Sequence, residues 1–440
     1  MKAQSVHNAA TRGDIPMLLE LISEQKVLDA RTVDGWSLLH TIARWDLDKV
    51  ACVFVGNNTL DPNAPALMHE TPLHVCAIYG SPKVAAWLLS IGANPDDKDD
   101  NEWTPIHYAA RFGHQEVLEM LRREHRRRCE LEDVERNVRR EDERKRLSTG
   151  RGGGPGHDDA AATIFRYKDP VTKDGWTPLH VAARFEQVDI ITHLLASGAD
   201  KDASDCQGWS ALHIAVRHGL TKVVTHLLNH RLDVDKRTGS DESAGHIALK
   251  HGHVALVDVL LNYGMNLETR DDQAETMLHY AARLPGAQVV DKLATRGALL
   301  QAKNNSGWCA LHIAADQGNL EAIQALISHG CDIDVRDNDG GSWLFLLHKD
   351  HYSQVTKFLV SANARNGRML NGPRMVLKVF SLMYSPPPHF SLPTQPPTHA
   401  TGVLYSLTSA HINAGHVINL YARGRGAIEI SVVRTTFCDD

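Results

Sequence analysis

Aromatic residues make up only 6% of the 440 residues. That scarcity excludes a core built on large rings and points instead to Leu, Ile, Val and Ala packed in small units. Seven cysteines, Cys52, Cys76, Cys129, Cys206, Cys309, Cys331 and Cys438, are odd in number, scattered, and never form a Cys-x-x-Cys pair. Such usage fits reduced thiols better than a disulfide framework. No apolar run approaches the roughly 18 residues of a membrane helix, and the opening MKAQSVHNAATRGD has no apolar stretch of signal-peptide type. The expected location is therefore the cytoplasm or nucleus. Phosphate-binding and nucleophile motifs are also missing. GRGGGPG has no following Lys-Ser/Thr, and neither a G-x-S-x-G nor a kinase signature set occurs. The expectation is a chain that is not an enzyme and has no cofactor and no small-molecule substrate.

What the chain has in excess is histidine, 26 in all. Neutral imidazole is the commonest metal ligand, so the count alone suggests a metalloprotein, and spacing decides. His7, His40, His74, His107, His180, His213, His246, His279 and His312 are separated by six gaps of 33, one of 34 and one of 73 residues. The long gap is one period plus 40 inserted residues. Length alone suggests about three domains of ~150 residues each, but a fixed period replaces that estimate with an array of about ten small units. Nine histidines thereby become markers of a structural position, and no metal site is expected. One further period lands on Phe345, in a degenerate last unit.

A common grammar surrounds each anchor, as in DGWSLLHTIAR, HETPLHVCAIYG, EWTPIHYAARFGH, DGWTPLHVAARF and GWCALHIAADQG. Three residues earlier stands a hydroxyl in most units (Ser37, Thr71, Thr104, Thr177, Ser210, Ser243, Thr276), the side chain wanted at a helix N-cap. Pro72, Pro105 and Pro178 follow at the first helical position. Gly80, Gly113 and Gly219, six residues after the anchor, permit a turn into a second helix; where that glycine is replaced, by Asp46, Glu186, Pro285 or His351, the turn should be less ideal. The pattern resembles the ankyrin repeat, over residues 1 to about 361 apart from the insertion. The resemblance implies an all-α solenoid of antiparallel helix pairs with short β-hairpin loops, stabilised by stacking of neighbours.

Four segments follow: repeats over 1–121, a charged helical insertion and Gly-rich linker over 122–172, repeats again over 173–361, and a Pro-containing tail over 362–440 expected to be disordered. Within the insertion, Glu132 with Arg136, Glu135 with Arg139 and Glu141 with Lys145 have the i,i+4 order of a solvated helix. Residues 122–146 carry 11 basic and 8 acidic side chains, whereas the whole chain has a net charge of −6. The body is thus acidic, which argues against nucleic acid as the partner.

In ankyrin-like arrays the hairpin tips and first helices line a concave partner-binding surface. At four residues before the anchor stand Trp36, Trp103, Trp176 and Trp209. Four after it come Arg44, Arg111, Arg184 and Arg217, and one further on Trp45, Tyr79, Phe112 and Phe185. Trp, Tyr and Arg dominate interface energetics, so these twelve are the candidate contacts for a protein or acidic peptide. The same rings are equally suited to packing within the fold, against neighbouring hairpins or guanidinium planes. An adaptor or scaffold is the first functional reading. A nuclear regulator masking a basic partner, or the ankyrin-bearing part of a larger enzyme, are the alternatives.

Overall fold

A computed structural model describes residues 2–22, 31–53, 60–148, 168–347, 354–355, 358, 402–407, 416–423 and 427–434. The chain divides into two compact units, Met1–Leu284 and Pro285–Asp440.

The first unit is a succession of helix pairs, beginning with Lys2–Arg12 and Ile15–Ile22 and ending with Met277–Arg283. Every full repeat starts the same way. The N-cap residue is extended, the anchor histidine is the third helical residue, and cap and histidine bond reciprocally. The backbone N–H of Thr71 donates to His74 Nδ1 at 3.0 Å, and His74 Nε2 donates to the carbonyl of Trp103, in the next repeat, at 3.0 Å. His40 reaches Glu70 O, His107 Trp176 O, His180 Trp209 O, His213 Lys236 O and His246 Glu275 O, all at 2.9–3.1 Å. Because a backbone N–H can only donate and a carbonyl only accept, these rings are fixed as the neutral Nε2–H tautomer. Both nitrogens are engaged, and the anchors from His40 to His279 are fully buried. This geometry explains the 33-residue period: each histidine closes its own helix start and ties it to the following repeat.

A second periodic tie lies at the other end of the first helices. Gly80 turns with φ +70°, and a Cβ there would come within 2.5 Å of the His114 ring, whose Nε2 donates to Ile78 O at 3.1 Å. Gln187 repeats the arrangement over Gly113 with a bond to Arg111 O, and His253 over Gly219 with a bond to Arg217 O. Where glycine is replaced, Asp46 and Glu186 take the left-handed conformation themselves, at φ 49° and 58°. In the Pro285 variant the neighbouring Gly286 does so, at φ 86°; His351 lies outside the described residues. An L-residue there carries roughly 1–2 kcal/mol of strain, so Glu186→Gly is expected to raise stability by about 0.5–1 kcal/mol after the extra unfolded-state entropy of glycine. The urea midpoint of the variant against the parent protein measures this.

Hairpins join the pairs. Asp99 N–H donates to Trp103 O, Asp205 N–H to Trp209 O and Asp271 N–H to Glu275 O, and adjacent hairpins are linked by bonds such as Asp100 N–H to Met68 O and Cys206 N–H to Asp174 O. The core between helices is aliphatic, as in Val223, Val224, Leu227 and Leu228, and the Ala109–Ala110 and Ala182–Ala183 pairs are fully buried.

The insertion begins without a break. One helix runs Gln115–Ser148, 34 residues, or about 50 Å at ~1.5 Å per residue. Its first turns serve as the second helix of the His107 repeat, burying Val117, Leu118 and Leu121. Arg122 then bonds Asp169 through two nitrogens, at 3.1 and 3.3 Å, and also Ser197 Oγ; both charged side chains are about 6% exposed. His125 bridges Asp96 and Lys168 O, and Arg126 reaches Ser197 O. Beyond residue 129 the helix leaves the array, with exposed Leu131, Val134 and Val138 and the expected pairs Arg136–Glu132 and Arg139–Glu135 at 2.9 and 3.5 Å. The side chains of Glu141 and Lys145 lie outside those described.

The second unit contains the helix Gln288–Thr295, the pair Ala310–Asp316 and Leu320–Ser328, and a 3-10 turn Trp343–Leu346. At the end of the array Phe345, in the anchor register, is 56% exposed, and Trp343 is buried in its place with Nε1 donating to Ile333 O at 2.9 Å. Within the tail, where sequence suggested a disordered extension, strands Gly402–Leu407, His416–Arg423 and Ala427–Arg434 form an antiparallel sheet in that order. Their β-branched, alternating sequences HVINLYAR and AIEISVVR supply the period of two that such pairing needs. The proline-rich segment lies outside the described residues.

Candidate functional site

The twelve candidate residues all fall in the Met1–Leu284 unit, where they occupy one register of hairpin and helix end. The tryptophans are half-buried platforms. Trp36 stacks on His40 with ring centroids 6.0 Å apart, and Trp103 and Trp209 lie 5.9 and 6.2 Å from His107 and His213. Their indoles thus pack within the fold, as the sequence allowed, while their outer faces carry cations.

Arg44 lies over Trp36, Trp45 and Tyr79 at 5.7, 5.3 and 5.1 Å from the ring centroids. Arg111 lies over Trp103, Phe112 and Phe185 at 5.8, 5.3 and 4.6 Å, Arg184 over Phe185 at 5.5 Å, and Arg217 over Trp209 at 5.2 Å. Tyr79 and Phe185 belong to the repeats after those of Arg44 and Arg111, so these two stacks bridge neighbouring repeats. Trp45, Tyr79 and Phe112 are 53%, 44% and 42% exposed; Trp176 is half-buried in the same hairpin position.

A distinction that the sequence reading missed separates the cations of this register. Lys250 is 2.5 Å from Glu242, and Arg283 makes two 2.6 Å bonds to Glu275. Glu242 and Glu275 stand four residues before their anchors, where the repeats of His40, His107, His180, His213 and His312 have tryptophan; the His74 repeat has Glu70 there, but Ile78 in place of the cation. Among the described residues Arg44, Arg111, Arg184 and Arg217 have no carboxylate within ion-pair distance; aromatic faces hold them instead. The Trp-to-Glu exchange at this one position was the available signal. It means that arginines without a carboxylate partner stand on the repeats anchored by His40, His107, His180 and His213, with the cation-free His74 repeat between the first two, and the series stops there.

Two tyrosines that the sequence reading did not single out brace the hairpins: Tyr108 and Tyr280 donate to Asp99 and Asp271 at 2.6 and 2.7 Å. Burial, followed by these bonds, pushes both phenols well above their ordinary range. Among the described residues no cluster of three or more metal-ligating side chains occurs, and no helix is long and apolar enough to cross a membrane.

Family models for ankyrin repeats match residues 156–238, 233–304 and 286–369, and a further one matches 73–122. The chain belongs to the ankyrin-repeat family, whose arrays are in general protein-interaction scaffolds. Among known proteins it is similar to human Rabankyrin-5, 37% identical over 114 residues that are 23% of this chain and 10% of that protein. The human Neurogenic locus notch homolog protein 4 is 30% identical over 131 residues, 30% of this chain and 5% of that one. A Glycerophosphocholine phosphodiesterase of Schizosaccharomyces pombe is 32% identical over 81 residues, 18% of this chain and 7% of the enzyme. The chain thus matches only a small part of each relative's length.

Proposed function

We propose that this protein is a non-catalytic adaptor that binds an acidic segment of another protein along the hairpin and first-helix face of the repeats from His40 to His213. The observation that carries the reading is the contrast within one register: Lys250 and Arg283 are neutralised by their own repeats, whereas Arg44, Arg111, Arg184 and Arg217 are held flat on rings with their charge unspent. A guanidinium already immobilised on an aromatic face loses little further freedom when a carboxylate docks, and the exposed Trp45, Tyr79 and Phe112 add apolar area beside it.

Fluorescence anisotropy of a labelled Glu- and Leu-containing peptide tests this. The combined change Arg111→Ala, Phe112→Ala, Arg184→Ala and Phe185→Ala should weaken binding by roughly 1,000-fold or more, since truncating anchor residues costs about 1–2 kcal/mol each, and the parent affinity should fall with added salt. Undiminished binding by a variant with unchanged circular dichroism refutes the assignment. A second reading, the ankyrin-bearing part of a larger enzyme, draws on the resemblance to the phosphodiesterase, of which the chain covers 7%.

A further inference from the structure

At the C-terminal end of the unpaired arginine series the character of the face changes from aromatic to imidazole. The position after the register cation is Phe112 and Phe185 in two repeats but His218 and His251, the latter after Lys250, in the next two. Both histidines are exposed. His253 sits with its ring against Gly219, donates from Nε2 to Arg217 O at 3.0 Å, and stacks on His251 with centroids 6.3 Å apart. Arg217, His218, His251 and His253 therefore stand together on two adjacent repeats, with Lys250 next to His251 and Arg184 at the equivalent register position of the repeat before. The carboxylate facing this group is Glu242, and Lys250 occupies it at 2.5 Å.

Electrostatics records how crowded this surface is with positive charge. His218 is held below its ordinary pKa by partial burial and then by Arg184, Arg217, His251 and His253. His251 is lowered by burial and by Arg217, His253 and Lys250, with Glu242 opposing weakly. Two guanidinium groups keep their charge at any accessible pH, while two imidazoles stand ready to take up protons if an anion relieves the repulsion. A carboxylate brings one charge. A phosphoryl group brings between one and two, has a second ionisation near pH 6, and offers three acceptor oxygens to forked donors.

We propose that Arg184, Arg217, His218 and His251 form a binding site for a phosphoryl group carried by the bound protein segment. This deepens the reading of the face as a docking surface, and it can be tested apart from it. Binding would raise the proton affinity of both histidines, so that phosphate association strengthens as pH falls through the range in which they titrate.

The test uses the full chain with 13C-labelled histidine and inorganic phosphate as the probe. The His218 and His251 ring signals are assigned by their loss in His218→Gln and His251→Gln. In millimolar phosphate both should titrate about 0.5 pH units or more higher than in chloride of equal ionic strength. His226 and His230, which face one another at 4.9 Å at the end of the second helix of the His213 repeat, should not respond. Arg184→Gln with Arg217→Gln should abolish the effect while leaving the spectrum of a folded protein. A response to phosphate no larger than to chloride, or one matched by acetate, overturns the proposal. The phosphate response does not require the acidic peptide, so loss of peptide binding with the response retained would refute the docking reading alone.

Discussion

Lowering the pH from 7 to 5 is expected to remove several kcal/mol of stability from the Met1–Leu284 unit, through the anchor histidines. Burial lowers His40, His107 and His213 from 6.5 to about 4, and lowers His74, His180 and His246 in the same direction. In the unfolded chain the same rings titrate near 6.5. Between pH 6.5 and about 4 the unfolded state therefore binds more protons, and stability falls with pH over that window; above 6.5 the contribution is fully present. A ring shifted from 6.5 to 4 loses about 2 kcal/mol by pH 5, so three such rings lose an amount comparable with the ~5–15 kcal/mol of a whole domain. The physical event is specific. Protonation at Nδ1 removes the acceptor for the N-cap N–H and places a charge in an aliphatic core. His125 has the opposite sign: burial opposes its charge, but the bond to Asp96, that carboxylate's charge and the Lys168 carbonyl outweigh it and raise the pKa. Its contribution is complete below 6.5 and is lost as pH rises through the raised value. Urea midpoints from pH 8 to 5 decide the matter. A flat profile would show that the rings are not held neutral.

Arg122→Ala should destabilise the same unit by about 3–5 kcal/mol, the usual cost of leaving one member of a buried pair uncompensated. Asp169 would then keep a carboxylate that is 6% exposed with its main cation gone, and Ser197 Oγ would lose a donor. The effect belongs to the stranded charge rather than to the pair as such. Accordingly Arg122→Met combined with Asp169→Leu should recover most of the loss. Chemical denaturation of the parent, of Arg122→Met and Asp169→Leu singly, and of the two combined closes the cycle. Equal losses in single and double variants would show that Arg122 acts through packing alone.

The array was legible in the sequence because its signal is repeated. His40, Thr71, Pro105 and Gly219 each have several counterparts in phase, and periodicity averages away local irregularity. Features that occur once were not. Arg122 and Asp169 lie 47 residues apart on either side of the linker, and nothing in either neighbourhood marks them as partners. Asp46 and Glu186 read as lost glycines, yet the chain keeps its turn by accepting a left-handed residue, because the second-helix packing on either side over-determines it. For the candidate site, sequence named the residues and their register but not their state of neutralisation, which depends on what stands eight residues upstream of each cation. The strands Gly402–Leu407, His416–Arg423 and Ala427–Arg434 escaped notice since a proline-rich neighbourhood dominated the composition of the tail.

The bonds of the buried anchors from His40 to His246 all point one way, from Nε2 of one repeat to a carbonyl of the next, and this makes the array directional in how it tolerates loss. Deleting repeats from the N-terminal side frees an anchor's carbonyl, together with at most a part-buried or exposed donor such as His114, Gln187 or His253, all of which water can meet. Deleting them from the C-terminal side strands a buried N–H on the last remaining ring, and in the second unit His312 already ends without an acceptor for Nε2 among the described residues. Unravelling should therefore advance more readily from the C-terminal end of a shortened array than from its N-terminal end.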